Sequence, residues 1–462
     1  MNNYITPNET VLDNDSASIQ AAVDRAAELG LNQVVIPRIN ARTGEGKWII
    51  EKTVRLPSDM TVVLDNCFMQ MADDVAAGFF SSQNLFTPEG LTEGGKLYNI
   101  SIIGRGNATL DGGKPTGLGE KNQRERGVPV RLNTPIFFLN VEGFKIENIR
   151  ITNHRYWGMR FEFCSKGAIK DIYFEGRCDR KNQDGINLRN GCHNILIENI
   201  FGQTGDDMIA LSAIDRKMAP GSIFEKYEVI VEGASHDIHD ITIKNISGAA
   251  IHHPLIAMRN HNGAKIYNIV IDNVRDTAQL CEAEGDYKWD YRRYATIVIG
   301  SPGYFETENC IGDTYNISIS NVFTSYSNAA VYIQCSLKNS VFRNLFVSGM
   351  ANHAITVEQL PGWEVMFVGV TVENLLIDGV HFSPSDPEGS ALLDLAMMRD
   401  SDYVKGLIVK NAFIDKAECF AEVAECIKDK FDMKAEGISA PFGLDMIRYS
   451  NKRIALSDNN AP

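Results

Sequence analysis

The sequence predicts an all-β protein, a parallel β-helix (solenoid) with a helix capping its N-terminal end. Three observations predict this fold. A strand-like hexamer recurs along about 350 residues. Acidic residues return at the same point of two successive copies, and one strongly helical segment precedes the repeats. Self-similarity at a roughly constant period is typical of solenoids, whose coils stack into one continuous core.

The hexamer has the form Asn/Asp/Thr, apolar, any, apolar, any, Asn/Gly. Its alternation predicts a strand with one face in a core. The closing Asn or Gly tolerates the left-handed conformation that a sharp corner needs. We expect the Asn side chains to point inward and to satisfy backbone groups at the corners. The copies close at Asn66, Gly104, Asn153, Gly176, Asn199, Asn245, Asn273, Asn321, Gly349, Gly379 and, in a degraded copy, Lys416.

The segments that flank the repeats are predicted to be helical. Residues 16–30 have helical periodicity with Ile19 and Val23 on one face, Ser16 as N-cap and Gly30 as the stop. A buried strand is predicted at 33–37. Residues 417–431 are read as an amphipathic helix. We therefore predict a catalytic β-helix domain over 1–416, including the cap helix, and a helical or irregular segment over 417–462 that packs on it.

Composition narrows the classes of function. The chain has 462 residues, a formal net charge of −14 and nine scattered cysteines. The negative charge argues against nucleic acid or an anionic membrane as a partner. No apolar run reaches the roughly 18 residues of a spanning helix, and the first residues lack the features of a signal peptide. We expect a cytoplasmic protein with reduced, mostly buried thiols, and a homo-oligomer is left open.

Two aspartates occupy matching positions in successive copies. Asp184 opens Asp-Gly-Ile-Asn-Leu and Asp207 opens Asp-Met-Ile-Ala-Leu, 23 residues later, which is also the local repeat length. Residues one period apart in a parallel solenoid lie about 4.8 Å from each other in neighbouring strands. Asp206 adds a third carboxylate. Because carboxylates this close cannot ionise independently, we expect one to have a raised pKa and to suit acid/base chemistry. The alternative interpretation is that these residues only close turns.

Counting eight residues past each corner extends the alignment. The count gives Asp184, Asp207 and then His253, with His252 beside it. Arg189 and Arg259 end strands that start at the same position, and they bring positive charge to a cleft or form part of a solvated face. Two inserted segments, 213–238 and 276–293, are interpreted as walls of a substrate cleft or as solvated loops.

The acidic coil resembles glycoside hydrolase family 28, the polygalacturonase-like inverting hydrolases built on a right-handed parallel β-helix. Asn182-Gln183-Asp184-Gly185 is similar to the family's Asn-Thr-Asp motif, and Gly205-Asp206-Asp207 is similar to its Gly-Asp-Asp strand. The preceding coil NHRYWGMRFEFCS, with Trp157, is similar to the coil before that motif. The resemblance covers about residues 10–350.

The resemblance implies roles for these residues. Asp206 is implied as the general acid and Asp184 and Asp207 as the pair that activates water. His253 is expected as a further catalytic residue, and Asn182 and His252 as substrate-binding residues. No cofactor and no metal are implied.

The chain departs from the family's pattern in two places. The family's His-Gly pair is represented only by Ile-His-His-Pro at 251–254, and its Arg-Ile-Lys motif is expected on residues 295–301, which carry no charge. Those cations hold a substrate carboxylate in galacturonan hydrolases. Either Arg259, Arg292 or Arg293 substitutes for them, or the sugar at that position is neutral.

Three functions remain open. The first is a glycoside hydrolase acting on pectin-derived or related plant oligosaccharides, exo-acting if the inserted segments block the cleft. The second is a lyase that uses the same carboxylates to hold Ca²⁺. The third is a carbohydrate-binding solenoid without catalysis. In each case the expected partner is an oligosaccharide.

Overall fold

Short strands joined by sharp corners make up most of the computed structural model. The structure describes residues 3–114, 130–177, 182–214, 230–251, 253–261, 263–278, 293–300, 313–357 and 370–451. Most of the first inserted segment and nearly all of the second lie outside these ranges. Within these ranges no helix is long and apolar enough to cross a membrane.

The corners follow the hexamer, as predicted, at eight of its eleven closing residues. A positive φ is found at Asn66, Asn153, Asn199, Asn245, Asn273, Asn321, Gly349 and Gly379. Gly104, Gly176 and Lys416 do not adopt it. At Gly104 the glycine is explained by close packing instead, because a Cβ there would lie 1.9 Å from the carbonyl oxygen of Asn148.

The Asn side chains at the closing corners are half-buried or exposed, so the inward orientation predicted for them is wrong, and several of them bond to Asn or Asp side chains of neighbouring coils. Asn273 Nδ2 donates to Asn245 Oδ1 at 2.9 Å, and Asn344 Nδ2 donates to Asn321 Oδ1 at 3.0 Å. Exposed amides retain access to water, which removes the desolvation cost of an inward position. These ladders connect successive coils along the surface.

The described residues fall into two compact units. Unit 1 holds those up to Ala210 and those from 230 to His236, and unit 2 holds those from Leu211 to 214 and from Asp237 onwards. In each unit the chain alternates between two parallel sheets, called sheet A and sheet B, so that one strand of each makes one coil. This architecture is a right-handed parallel β-helix, and the predicted fold class is confirmed.

In unit 1, sheet A is ordered β1-β4-β7-β10-β12-β14, with β2, β5 and β8 pairing at its side, and sheet B is ordered β3-β6-β9-β11-β13. The strands are β1 (Gln33–Pro37), β2 (Trp48–Ile50), β3 (Val54–Leu56), β4 (Thr61–Asp65), β5 (Phe68–Met71), β6 (Phe80–Ser82), β7 (Leu97–Arg105), β8 (Thr109–Asp111), β9 (Ile136–Leu139), β10 (Val141–Thr152), β11 (Met159–Glu162), β12 (Ser165–Glu175), β13 (Ile186–Arg189) and β14 (His193–Thr204). The next strand, β15 (Ile209–Ile214), begins in unit 1 and ends in unit 2.

In unit 2, sheet A is ordered β16-β18-β20-β22-β24-β26-β28 and sheet B β17-β19-β21-β23-β25-β27-β29. The strands are β16 (Ile238–Ala250), β17 (Ile256–His261), β18 (Ile266–Asp276), β19 (Arg293–Ile299), β20 (Thr314–Thr324), β21 (Ser327–Ile333), β22 (Leu337–Gly349), β23 (His353–Val357), β24 (Thr371–Pro384), β25 (Ala391–Leu395), β26 (Tyr403–Ile414), β27 (Cys419–Ala424), β28 (Phe431–Glu436) and β29 (Asp445–Ser450).

The predicted cap helix forms as α1 (Asp15–Glu28). Its apolar face, Ile19, Ala22, Val23 and Ala26, is fully buried, as predicted. The N-cap is Asn14, whose side chain accepts from the Ala17 amide at 2.8 Å, so the assignment of Ser16 is wrong. Ser16 Oγ instead accepts from the Glu51 amide at 2.8 Å, which anchors the helix to the first coils.

The predicted C-terminal helix is wrong. Residues 419–424 form β27, a 3-10 helix covers Glu425–Lys430, and two further strands, β28 and β29, follow. Cys419 pairs with Ala391 of β25 and with Asp445 of β29, so the repeat continues beyond Lys416. Both faces of β27 are buried, and this run of buried residues resembles a helical stripe in the sequence.

The cysteines follow the predicted pattern at most described positions. Cys67, Cys164 and Cys192 are buried, and burial raises the pKa of Cys192 to about 12. Such thiols are unreactive near neutral pH. Cys426 is exposed and departs from the pattern.

Candidate active site

Three successive coils of unit 1 align at the start of their sheet B strands. The amide of Gly185 donates to the carbonyl oxygen of Asp207 at 2.9 Å, and the amide of Gly158 donates to the carbonyl oxygen of Asp184 at 2.8 Å. In a parallel ladder these bonds put Trp157, Asp184 and Asp207 at one level in neighbouring strands. This is the register that the 23-residue spacing predicts.

Two glycines allow this close stacking. A Cβ on Gly185 would lie 2.4 Å from the carbonyl oxygen of Met208, and a Cβ on Gly158 would lie 2.9 Å from the carbonyl oxygen of Gly185. The Phe174 ring also lies within 3.0 Å of both positions. Backbone and a buried ring cannot move aside without shifting the coils. The glycine after Asp184 therefore holds that residue at strand spacing from Asp207.

The three aspartates differ in exposure. Asp184 is 4% and Asp207 2% exposed, whereas Asp206 is half-buried. The amide of Asp207 donates to Asp206 Oδ1 at 2.9 Å, and carboxylate oxygens of the two residues lie within 4.8 Å of each other. Asp206 is therefore the most exposed of the three residues, and Asp184 and Asp207 are nearly covered by protein.

Side chains from the preceding coil support the turn that carries Asp184. His154 Nε2 lies 3.0 Å from the carbonyl oxygen of Asp184, and the Gln183 side-chain amide donates to the carbonyl oxygen of His154 at 2.6 Å. His154 is fully buried. No sequence pattern indicates this role for His154, because the bond joins residues 30 positions apart through a backbone carbonyl.

Arg189 is part of a buried charge cluster. Its Nε lies 3.4 Å from Glu162 Oε1, and Arg160 Nε donates to the same oxygen at 2.7 Å. All three side chains are at most 6% exposed. Strand alternation puts them on the face of β11 and β13 opposite to Phe161 and Leu188. Arg189 and Arg160 thus share Glu162 as their partner. Arg189 is not part of a solvated face.

Both guanidinium groups lie against Trp157. The Arg160 guanidinium is 4.9 Å and that of Arg189 5.3 Å from the centre of its ring, within cation–π range. Tyr156 stacks on Trp157 with ring centres 5.1 Å apart. Glu162, by holding the two arginines, fixes the tryptophan that stands level with Asp184. The resemblance singled out Trp157, but no pattern in the sequence indicated Arg160 or Glu162.

The structure places the remaining predicted residues as follows. Asn182 is half-buried with a φ of 54° in the turn before Asp184. In unit 2, His253 is half-buried before β17 and Arg259 is half-buried within it. Arg293 begins β19, and its side chain is not described, while His252 and Arg292 lie outside the described residues. The roles given to these residues stay predictions.

The strand on which the family's cations were expected carries no charged residue from 295 onwards. In unit 2, Ala295 and Val298 of β19 form a buried cluster with Ala329 and Tyr332 of β21. Val298 pairs directly with Tyr332.

The alternating sheets and sharp Asn corners define a protein of the right-handed parallel β-helix class. Residues 59–221 match the family described as glycosyl hydrolases family 28, and this segment includes Asp184, Asp206 and Asp207. The resemblance expected from the acidic coil is confirmed over that segment. No curated protein sequence matches the chain.

Solved structures with the same fold come from proteins of several kinds. The A-module of a mannuronan C-5 epimerase from Azotobacter vinelandii gives a TM-score of 0.60 at 12% identity, covering 95% of this chain and 99% of that one. The surface adhesin PfbA of Streptococcus pneumoniae gives 0.54 at 15%, covering 96% and 99%. A hyperthermoactive exopolygalacturonase from Thermotoga maritima gives 0.50 at 12%, covering 95% and 91%. At these identities the similarity shows the fold alone.

Proposed function

We propose that the protein is an inverting glycoside hydrolase that cleaves glycosidic bonds in pectin-derived or related plant oligosaccharides from one end. The observation that carries this proposal is the level alignment of Asp184 and Asp207 on neighbouring strands, with Asp206 beside them. The family match over residues 59–221 supports the same class of reaction.

The differences in exposure support the roles that the family resemblance implies. Asp206, the carboxyl group nearest to solvent, donates a proton to the departing glycosidic oxygen. Asp184 and Asp207 accept a proton from a water molecule, whose oxygen attacks the anomeric carbon as the bond to the leaving oxygen breaks. Because displacement is direct, no covalent intermediate forms and the anomeric configuration inverts.

The sugar next to the broken bond is proposed to be neutral or only weakly held through a carboxylate. The support is the sequence of residues 295–300, where the family's pattern has an Arg-Ile-Lys motif and this chain has no charged residue. Comparison of galacturonan, rhamnogalacturonan and neutral galactan oligosaccharides by mass spectrometry of the products identifies the sugar.

The decisive experiment combines that panel with Asp206→Asn. Hydrolysis by the wild type and its loss by two or more orders of magnitude in Asp206→Asn, with an unchanged circular dichroism spectrum, is the expected result. Unaltered hydrolysis in the variant would contradict the assigned general acid. Binding of the oligosaccharides without any hydrolysis by the wild type would instead indicate a non-catalytic solenoid.

Two further measurements separate the remaining alternatives. EDTA is expected to leave activity unchanged, whereas a loss restored by Ca²⁺, with a product absorbing in the ultraviolet enone band, would indicate a lyase. Size-exclusion chromatography of a long substrate is expected to show a slow fall in mean chain length, as in attack from one end. A rapid fall in mean length would indicate internal cleavage.

A further inference from the structure

A pocket of about 330 Å³ lies in unit 2, where β18 and β20 of sheet A end. Arg275 and Asp276 come from the end of β18, Phe323 from β20, and Ser325 and Tyr326 from the turn that leads to β21. The size is at the lower end of the range for small-molecule sites, which is enough for one or two sugar rings.

Asp276 builds one wall of the pocket. Its carboxylate accepts from three successive backbone amides, those of Ser325 at 2.7 Å, Tyr326 at 3.0 Å and Ser327 at 2.8 Å. Asp276 is 3% exposed. Because these bonds occupy the carboxylate and the amides together, neither is available to a ligand. The turn that presents Tyr326 is thereby fixed, and the negative charge of Asp276 is held within it.

Arg275 provides the charge that a ligand can reach. It is exposed, and within the described residues no carboxylate forms an ion pair with it. Its guanidinium lies 4.9 Å from the centre of the Phe323 ring. This contact with the ring limits the positions that the guanidinium adopts.

Aromatic side chains flank the cation. Tyr326 is 42% exposed, and Phe323 is itself held by Phe346, with ring centres 4.7 Å apart and planes 5° apart. A tyrosine fixed beside a guanidinium can contact the C–H face of a sugar while the guanidinium binds an acid group.

We propose that this pocket is a binding site for a carboxylate-bearing sugar, a uronate, with Arg275 pairing with the carboxylate and Tyr326 contacting the ring. The inference rests on the proposed function only in taking the ligand to be a sugar. It adds a place for acidic sugars in a chain that lacks cations on residues 295–300. A divalent cation does not fit, because the one carboxylate of the pocket is already bonded to three amides.

The test is a binding titration of the wild-type protein with galacturonate, glucuronate and galactose by ligand-observed NMR. We expect saturable binding of a uronate in the millimolar range and at least fivefold weaker binding of galactose. Arg275→Ala is expected to weaken uronate binding about tenfold, and Arg275→Lys to restore part of it. Tyr326→Ala is expected to weaken it severalfold.

Arg343→Ala is the matched control, because Arg343 is another exposed arginine of sheet A in unit 2, on β22, and does not line the pocket. It is expected to bind as the wild type does. Unchanged uronate binding in Arg275→Ala, or no uronate binding by the wild type, would overturn the proposal. Inorganic phosphate binding as tightly as the uronate, with no effect of Tyr326→Ala, would overturn the sugar assignment.

The proposal of a uronate-binding pocket and the proposal of a hydrolase can be refuted independently. Asp206→Asn is expected to retain uronate binding at Arg275, since Asp206 does not line this pocket. Hydrolysis that survives Asp206→Asn would refute the catalytic assignment and leave the binding result intact.

Discussion

Sheet B has different chemistry in the two units. In unit 1, β11 and β13 carry Arg160, Glu162 and Arg189, three buried charges on one face. In unit 2, β19 and β21 carry a buried apolar cluster that includes Val298 and Tyr332. The backbone pairing is of the same kind in both. Side-chain chemistry, rather than the fold, therefore distinguishes the two surfaces.

The free-energy cost of burying these two groups of side chains also differs. Each buried ion costs several kcal/mol in desolvation, and its partner offsets this only when the geometry is good. An apolar cluster stabilises by burial alone. The costly arrangement occurs beside Trp157, level with the proposed catalytic Asp184. We infer that the charged cluster is retained for positioning, and the following predictions test this contrast.

The largest effect is expected at Glu162. Glu162→Gln leaves two buried guanidinium groups without their shared anion and is expected to lower the free energy of unfolding by about 3–5 kcal/mol. Urea denaturation measures it. Glu147→Gln is the control, because Glu147 pairs with Lys145 at the surface at 3.0 Å and is expected to cost less than about 1 kcal/mol. Equal losses in both variants would remove the distinction between the two kinds of ion pair.

The second effect concerns the stacked coils. Gly185→Ala introduces a Cβ 2.4 Å from the Met208 carbonyl oxygen, and the strain is expected to cost about 1–3 kcal/mol. The displacement of Asp184 from Asp207 is expected to lower kcat at least tenfold while KM changes little. Gly94→Ala serves as the control, since its Cβ would meet nothing closer than 4.0 Å. A Gly185→Ala enzyme with normal kcat would show that strand spacing does not set activity.

The third prediction concerns two substitutions, one that removes a polar side chain from β13 and one that adds a hydroxyl to the apolar cluster. Asn187 on β13 is 2% exposed, and its amide nitrogen is buried without a hydrogen-bond partner in the described part of the chain. Asn187→Leu is expected to keep or raise stability but to lower activity. Val298→Thr buries a hydroxyl in the apolar cluster and is expected to cost about 1–3 kcal/mol. Thermal melts and initial rates of both variants test the contrast. A large stability loss in Asn187→Leu would contradict it.

The smallest effect is a pH dependence at Asp111 of unit 1. Burial alone would raise the pKa of Asp111, but hydrogen bonds from Thr152, Asn153, Gln70 and the Gly113 amide together lower it below its ordinary value of 3.8. A carboxyl group with a depressed folded pKa stabilises the fold above its unfolded pKa, and the contribution disappears as pH falls through the folded value. The wild type is thus expected to lose this contribution as pH falls below about 3.8.

Asp111→Asn provides the comparison for that pH dependence. The variant is expected to be less stable at pH 7 and to lose less stability than the wild type on acidification to pH 3. Melting temperatures measured across this range should therefore converge. Parallel curves would show that Asp111 makes no such contribution.

The sequence was sufficient for the features that repeat. The period of 23 residues predicted the alignment of Asp184 with Asp207, and the Asn/Gly ending of the hexamer predicted most of the left-handed corners, because both depend on local spacing and backbone sterics.

The sequence was insufficient for features set by partners in other coils. The pairing of Arg189 with Glu162 joins residues from two strands of unlike sequence, and nothing in either strand identifies the other. Strand β27 has apolar residues on both faces, so its period did not distinguish strand from helix, and its pairing with β25 and β29 decided the outcome.

The stereochemistry of hydrolysis tests the central claim most directly. Proton NMR of the first product, recorded within minutes of adding enzyme to a cleaved oligosaccharide from the panel, gives the anomeric configuration before mutarotation. Water activated by Asp184 and Asp207 predicts a product of opposite configuration to the substrate. A product that keeps the substrate's configuration would require a covalent intermediate and would contradict the arrangement proposed for the three aspartates.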